Sequence, residues 1–107
     1  MISFPNCKIN LGLHIVNKRA DGFHNLETIF YPIPLSDAIE IITSSSTNGV
    51  TDTSSGNAID GAADDNLCIK AYHLLKKDFP NLPNIKLHLH KVIPTGAGLG
   101  GGSADAA

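Results

Sequence analysis

Five of the ten glycines in this 107-residue chain fall between Gly96 and Gly102, inside the run Pro94-Thr95-Gly96-Ala97-Gly98-Leu99-Gly100-Gly101-Gly102-Ser103-Ala104-Asp105-Ala106-Ala107. A loop of this composition takes positive φ at little steric cost and can turn several backbone N–H groups on one anion. Ser103 or Gly102 is placed to cap a following Ala-rich helix, whose free N–H groups and positive dipole end would face the same anion. The chemistry suited to this pattern is the cradling of a phosphate. Two further groups could do chemistry. Lys8, Asn10 and Gly12 alternate with apolar neighbours, so a strand would project an ammonium, an amide and a backbone gap from one face; an ordinary solvated strand face has the same pattern. Phe23-His24 follows Asp21-Gly22, which suits a tight turn, and a ring beside an imidazole on a loop can stack on and hydrogen-bond a planar base. The alternative is a ring tucked into the core where the next strand begins.

What accompanies the glycines separates the known phosphate loops. A Walker A loop needs Lys directly before its Ser or Thr, and Gly102 stands there. Gly96-x-Gly98-x-x-Gly101 matches the dinucleotide fingerprint, but Pro94 interrupts the turn and the chain ends before a ribose-binding acid could appear. A flexible Gly-rich linker is the bland alternative, and an ordered Pro, Leu and Ala-rich flank argues against it.

The elements that must position these groups read as follows. Lys8 to Ile15 alternates as a half-buried strand with Ile9, Leu11, Leu13 and Ile15 inward. Leu26 to Tyr31 predicts a second strand, broken by Pro32 and Pro34, and Ala38 to Thr43 a third, the brief connections pointing to an antiparallel meander. Ser44 to Asp65 is rich in Ser, Thr, Gly, Asn and Asp and predicts loop, with one short strand near Val50. Asp64 or Asp65 can cap a helix from about Asn66 to Phe79, with Leu67, Ala71, Leu74, Leu75 and Phe79 as its core face and Pro80 ending it. Asn84 to Val92 alternates again, Ile85, Leu87 and Leu89 inward and Lys86, His88 and His90 outward, and delivers the chain to the glycine loop. Two His at i and i+2 can bind a metal, but no third ligand is spaced nearby, so an exposed strand face is expected.

Bulk properties bound the function. The length allows one domain at most, and a helix opening at Ser103 and stopping at Ala107 is too short to hold itself in water, which points to a piece of a longer protein. A net charge of -2 with no basic run argues against nucleic-acid or anionic-membrane partners. Cys7 and Cys68 lie far apart without metal-ligand spacing, as two buried thiols of a reducing cytosol would. No charged-then-apolar leader and no long apolar run is present, so a cytoplasmic location is expected.

Pro94 with Gly98-Leu99-Gly100-Gly101-Gly102-Ser103-Ala104 resembles the nucleotide loop of the GHMP kinases, a family of small-molecule kinases. Cys7-Lys8-Ile9-Asn10-Leu11, Lys18-Arg19-Ala20-Asp21-Gly22-Phe23-His24 and Asp65-Asn66-Leu67 extend the likeness in order over nearly the whole chain. They point to the branch acting on 4-diphosphocytidyl-2-C-methyl-D-erythritol in non-mevalonate isoprenoid biosynthesis; the segment around Phe23-His24 discriminates that branch. The resemblance implies an α+β N-terminal domain of the ribosomal protein S5 domain 2-like type, an antiparallel sheet packed on helices, with residues 1–107 forming part of it and the C-terminal GHMP domain absent. It implies transfer of the ATP γ-phosphate to a substrate hydroxyl. Lys8 is then the catalytic lysine, and Asn10, Phe23 and His24 hold the cytidyl substrate. Pro94, Thr95, Gly96, Ala97, Gly98, Leu99, Gly100, Gly101, Gly102, Ser103 and Ala104 wrap the ATP phosphates, with the Ser103 hydroxyl near Mg2+. Asn66 and Lys91 approach the nucleotide. The family's catalytic aspartate and second cytosine-stacking aromatic fall beyond residue 107, so this chain alone is expected to be inactive, and an incomplete helical layer could favour self-association. A mevalonate-, homoserine- or sugar-type GHMP kinase, a noncatalytic S5-like binding module and an inert folded fragment are the competing expectations.

Overall fold

Strands rich in β-branched residues and two short helices build a mixed sheet and a separate two-stranded ribbon. In order, the computed structural model, which describes residues 1–59 and 66–107, runs β1 (Ile2–Ser3), β2 (Asn6–Lys18), β3 (His24–Ser36), β4 (Ala38–Thr43), β5 (Val50–Gly56), α1 (Leu67–Asp78), β6 (Ile85–Lys91) and α2 (Gly101–Ala106). The main sheet has the order β1-β4-β6-β5, while among the described residues β2 and β3 pair only with each other. β6 lies antiparallel to β4 and parallel to β5, Leu87 opposite Ile41 on one side and Asp52 on the other. A parallel pair needs a crossover, and the segment carrying α1 supplies it. The expected meander is therefore corrected. β3 and β4 are separated by Asp37 alone, yet they belong to different sheets, and the sheet is mixed rather than antiparallel.

The strand expected near Val50 runs for seven residues to Gly56. β3 also runs on through Pro32 and Pro34, because it has only one neighbour and a missing N–H on its open side breaks no ladder bond. The alternation in β2 is likewise interrupted. Register shifts occur between Asn6 and Lys8, Leu11 and Leu13, and Ile15 and Asn17, with Gly12 at φ 70 in the middle one. A bulge resets which face a side chain takes. Leu11, Leu13 and Ile15, expected inside, are 48%, 58% and 58% exposed, since none of the described elements covers the outer ribbon.

β6 keeps its predicted pattern: Leu87 and Leu89 are buried and join Ile39 and Cys68 in the core, while Lys86 and His90 face out. His88 and His90 are bridged on that outer face by the Ser55 hydroxyl at 3.0 and 2.9 Å. Among the described residues no group of three His, Cys, Asp or Glu is gathered for a metal. α1 is corrected twice. Asn66 is its cap, the side chain accepting from Cys68 N–H at 3.0 Å; Asp64 and Asp65 lie outside the described residues. Its buried face is Cys68, Ile69 and Tyr72, whereas Leu67, Leu74, Leu75 and Phe79 are exposed. The helix thus carries two apolar stripes, and periodicity does not tell which one meets the sheet. α2 starts two residues earlier than expected, at Gly101 rather than Ser103, capped by Gly100 in the left-handed region rather than by Ser103 or Gly102. No described helix is long and apolar enough to cross a membrane.

Candidate functional site

The glycine run forms a loop between β6 and α2. Gly96, Gly98 and Gly100 take φ of 69°, 74° and 71°, so alternate peptides turn over and the chain folds around a concave surface. A cavity of about 360 Å³ opens there, lined by residues 94–103 together with Asn66, Lys91 and Asp105. Gly96, Ala97 and Gly98 are exposed at its rim. Ser103 is exposed on the first turn of α2, and the Asn66 cap of α1 stands on the cavity wall.

β2 brings Lys8 to this loop. The Lys8 N–H donates to Leu99 O at 3.0 Å, which ties strand and loop together through the backbone. Its ammonium donates to Gly98 O at 2.8 Å and to Asn10 Oδ1 at 2.6 Å, and it stands 5.3 Å from the centre of the Phe30 ring. The Asn10 amide donates in turn to Thr28 Oγ1 at 2.9 Å, and that hydroxyl donates to Gly12 O at 2.5 Å. Lys8 and Asn10 therefore share a face as the alternation predicts, and Gly12 joins them through its carbonyl. Gly100 has to be glycine here, because a Cβ would lie 3.0 Å from Lys8 Cε on a backbone already at positive φ.

Phe23 and His24 stand elsewhere, at the tip of the β2–β3 hairpin. Gly22 closes the turn by donating to Arg19 O at 3.1 Å, Asp21 Oδ1 accepts from Phe23 N–H at 3.1 Å, and Phe23 is 71% exposed. The ring is thus on a loop, not in the core. His24 pairs with Lys18, ten residues along β2 from Lys8, which at ~3.3 Å per residue separates them by at most about 33 Å. The arrangement is an arm, with the glycine-rich loop at its base and an aromatic at its end.

Lys91 is 2% exposed and sits beneath the loop. Its ammonium donates to Asp37 Oδ2 and, at 2.8 Å, to Asp105 Oδ2, both carboxylates being buried. Burial alone would push Lys91 down, but the two carboxylates outweigh it and hold the ammonium above its ordinary value. Burial pushes Asp37 up, yet Lys91 and the N–H groups of Ile93 and Val92 overcome that and hold the carboxyl below the usual range. Asp105 goes the other way: burial, with the Asp37 charge beside it, raises it despite Lys91. Sequence reasoning missed Asp37, Asp105 and Thr28 as parts of this region. Asp37 and Lys91 lie 54 residues apart, and no local pattern marks two such residues as partners.

Cys68 borders the same cluster and is 5% exposed, and burial with the Asp105 charge pushes its thiol up to about 11. At about 11 the thiolate fraction near pH 8 is ~100-fold below that of an ordinary cysteine. In the native chain, iodoacetamide should therefore modify Cys68 at least ~100-fold more slowly than in the urea-unfolded chain. Peptide mapping by mass spectrometry checks this, and equal rates would place Cys68 outside the core.

Residues 66–107, from the α1 cap through the loop and α2, match the model of the GHMP kinase N-terminal domain. Over those residues the chain is similar to the N-terminal domain of the GHMP kinases. Over 107 residues it is 60% identical to a 4-diphosphocytidyl-2-C-methyl-D-erythritol kinase of Cytophaga hutchinsonii, covering 100% of this chain and 38% of that relative. A Bacteroides fragilis protein of the same name is 58% identical over 108 residues, covering 100% of this chain and 39% of the relative. The crystal structure of a 4-(cytidine 5'-diphospho)-2C-methyl-D-erythritol kinase superposes with a TM-score of 0.80 at 35% identity, covering 99% of this chain and 37% of that one. The chain thus spans under two fifths of the length of these relatives. Its α+β fold is that of the GHMP kinase N-terminal domain.

Proposed function

We propose that residues 1–107 supply the phosphate loop and the lysine of a kinase. This kinase transfers the γ-phosphate of ATP to a hydroxyl of 4-diphosphocytidyl-2-C-methyl-D-erythritol. The observation that carries the proposal is the seating of Lys8, whose ammonium is held 2.8 Å from the Gly98 carbonyl by a strand bonded to the loop itself. A point charge fixed beside a phosphate cradle is suited to stabilising charge on a transferring phosphoryl group and to lowering the pKa of an adjacent hydroxyl.

The N–H groups of residues 96–102 would hold the ATP phosphates, with Pro94, Thr95, Ser103 and Ala104 closing the two ends of the cradle. Asn66 would border the nucleotide, and Lys91 would act from below. The positive-φ glycines and the exposed Ser103 hydroxyl fit a phosphate-bound Mg2+, which when present neutralises phosphate charge. Asn10 would orient the acceptor hydroxyl, while Phe23 and His24 would take the cytosine at the far end of the substrate by stacking and hydrogen bonding. A substrate with a base at one end and a polyol at the other suits an arm whose aromatic stands apart from its lysine. The exposed ribbon residues and the outer stripe of α1 suit burial against further protein, either the remainder of a longer kinase or a second copy.

The test is a chimera in which this chain replaces the matching segment of the Cytophaga hutchinsonii relative, assayed for ADP release with Mg-ATP and the cytidyl substrate. We expect turnover within tenfold of the parent. Phe23→Ala should raise KM for the cytidyl substrate by about tenfold or more, the ~1–3 kcal/mol of one lost base stack, and leave KM for ATP unchanged. A folded chimera that releases no ADP while the parent does would overturn the assignment. Turnover on mevalonate, homoserine or a sugar, untouched by Phe23→Ala, would move it to another GHMP branch.

A further inference from the structure

The loop has two ends, and both are tied to one buried cluster. At the entry, Asp37 Oδ1 accepts from the N–H groups of Val92 and Ile93, at 2.6 and 2.8 Å, immediately before Pro94. At the exit, Asp105 on α2 is bound through Lys91 to that same Asp37. The ends also touch directly. Ile93 is fully buried, and a Cβ on Gly101 would lie 2.8 Å from its Cγ2, so the helix start is seated on the residue that precedes the loop. None of these contacts involves the exposed residues 96–98 that form the rim.

We infer that Asp37 and Asp105 are positioning residues that act through Lys91 and the Val92–Ile93 backbone to hold the two ends of the phosphate loop together. The inference rests on the function proposed above. A loop of seven residues whose peptides must converge on one phosphate loses alignment when its ends part, and a misplacement of about 1 Å costs ~10²-fold in rate. A cluster built only for stability would be cheaper as apolar packing, since a buried ion triad often contributes less than hydrophobic residues of the same volume. Asp37 instead spends one carboxylate oxygen on two loop-entry N–H groups and the other on Lys91. Lys91, held in place by Asp37, carries the link on from the end of β6 to Asp105 on α2.

The experiment uses the chimera and reads the two substrates separately. Asp37→Asn keeps the shape but sets an amide donor against the Lys91 ammonium. Expected is a fall of about 10²-fold in kcat/KM for ATP, most of it in KM, with KM for the cytidyl substrate unchanged. A general loss of structure would move both KM values and the melting temperature together. Should Asp37→Asn fail to fold, Gly101→Ala keeps the ions and wedges the loop ends apart. Alanine's better helix propensity offsets part of the crowding against Ile93, a melting curve establishes that the variant folds, and the same selective rise in KM for ATP is expected. In the unaltered protein, hydrogen exchange should protect the Val92 and Ile93 amides as strongly as that of Leu89 in β6. If the parent chimera turns over and both variants keep the ATP KM, the inference is overturned while the proposed function stands; a parent chimera without turnover takes down both. Val92 and Ile93 amides exchanging as fast as those of residues 96–98 would likewise overturn the clamp.

Discussion

Lys8→Ala should lower ADP release by the chimera at least ~10²–10³-fold, the usual loss when one preorganised charge donor is removed from a developing anion. The fall should appear in kcat, because the ammonium meets the phosphoryl group most strongly when charge builds on it. Folding should survive: the contact that ties β2 to the loop is the Lys8 backbone N–H on Leu99 O, which alanine keeps. Lys8→Arg should not rescue. The ammonium fits as a compact charge between Asn10 Oδ1, Gly98 O and the Phe30 ring, a seat that a planar, forked guanidinium does not reproduce. Single-turnover ADP release with melting curves of each variant checks this. Retention of activity within tenfold in Lys8→Ala would remove Lys8 from the chemistry and leave it a loop-bracing residue.

Lys91→Ala should cost ~3–5 kcal/mol of folding stability, because it leaves two buried carboxylates facing each other with no cation. For a domain of this size, with ~5–15 kcal/mol in total, that is a large share of what holds the chain folded. Urea unfolding of the 107-residue chain at pH 7 measures it, and a loss below ~1 kcal/mol would mean that the triad is not formed. The pH dependence has a definite sign. Asp37 is held below its reference of 3.8, so its contribution is present above that pH and is lost as pH falls through the lower folded value. Lys91 is held above 10.5, so its contribution is complete below that pH and disappears as pH rises through the higher folded value. Asp105, held above 3.8, opposes folding above that pH, and the opposition lapses as pH falls through its raised value. Without Lys91 both carboxylates take up protons more readily. The stability gap between Lys91→Ala and the unaltered chain should therefore narrow as pH is lowered from 7 toward 4, and a gap that widened would refute the pairing.

Residues that act through neighbours in sequence were legible. The glycine loop, the alternation that puts Lys8 beside Asn10, the Asp21-Gly22 turn that presents Phe23, and the inward Leu87 and Leu89 of β6 all follow from local composition or period. The stripe chosen for α1 was the wrong one, because Cys68, Ile69 and Tyr72 bury as well as Leu67, Leu74 and Leu75 would, and only the sheet's location decides between them. The meander failed for a related reason. Short connections favour neighbouring strands, but pairing β2 with β3 as a free ribbon lets β4 take β6 and β1 instead.

The sequence by itself determined that a glycine-rich loop exists and that a lysine strand and an aromatic turn accompany it. Glycine content, strand period and turn chemistry are properties of contiguous residues, and they survive whatever the rest of the chain does. Only the tertiary structure decided that Lys8 reaches Gly98, that Phe23 stands an arm's length away, and that Asp37, Lys91 and Asp105 meet beneath the loop. Buried charges are tolerated where partners from distant segments converge, and that convergence is set by packing the sheet and helices together rather than by spacing along the chain.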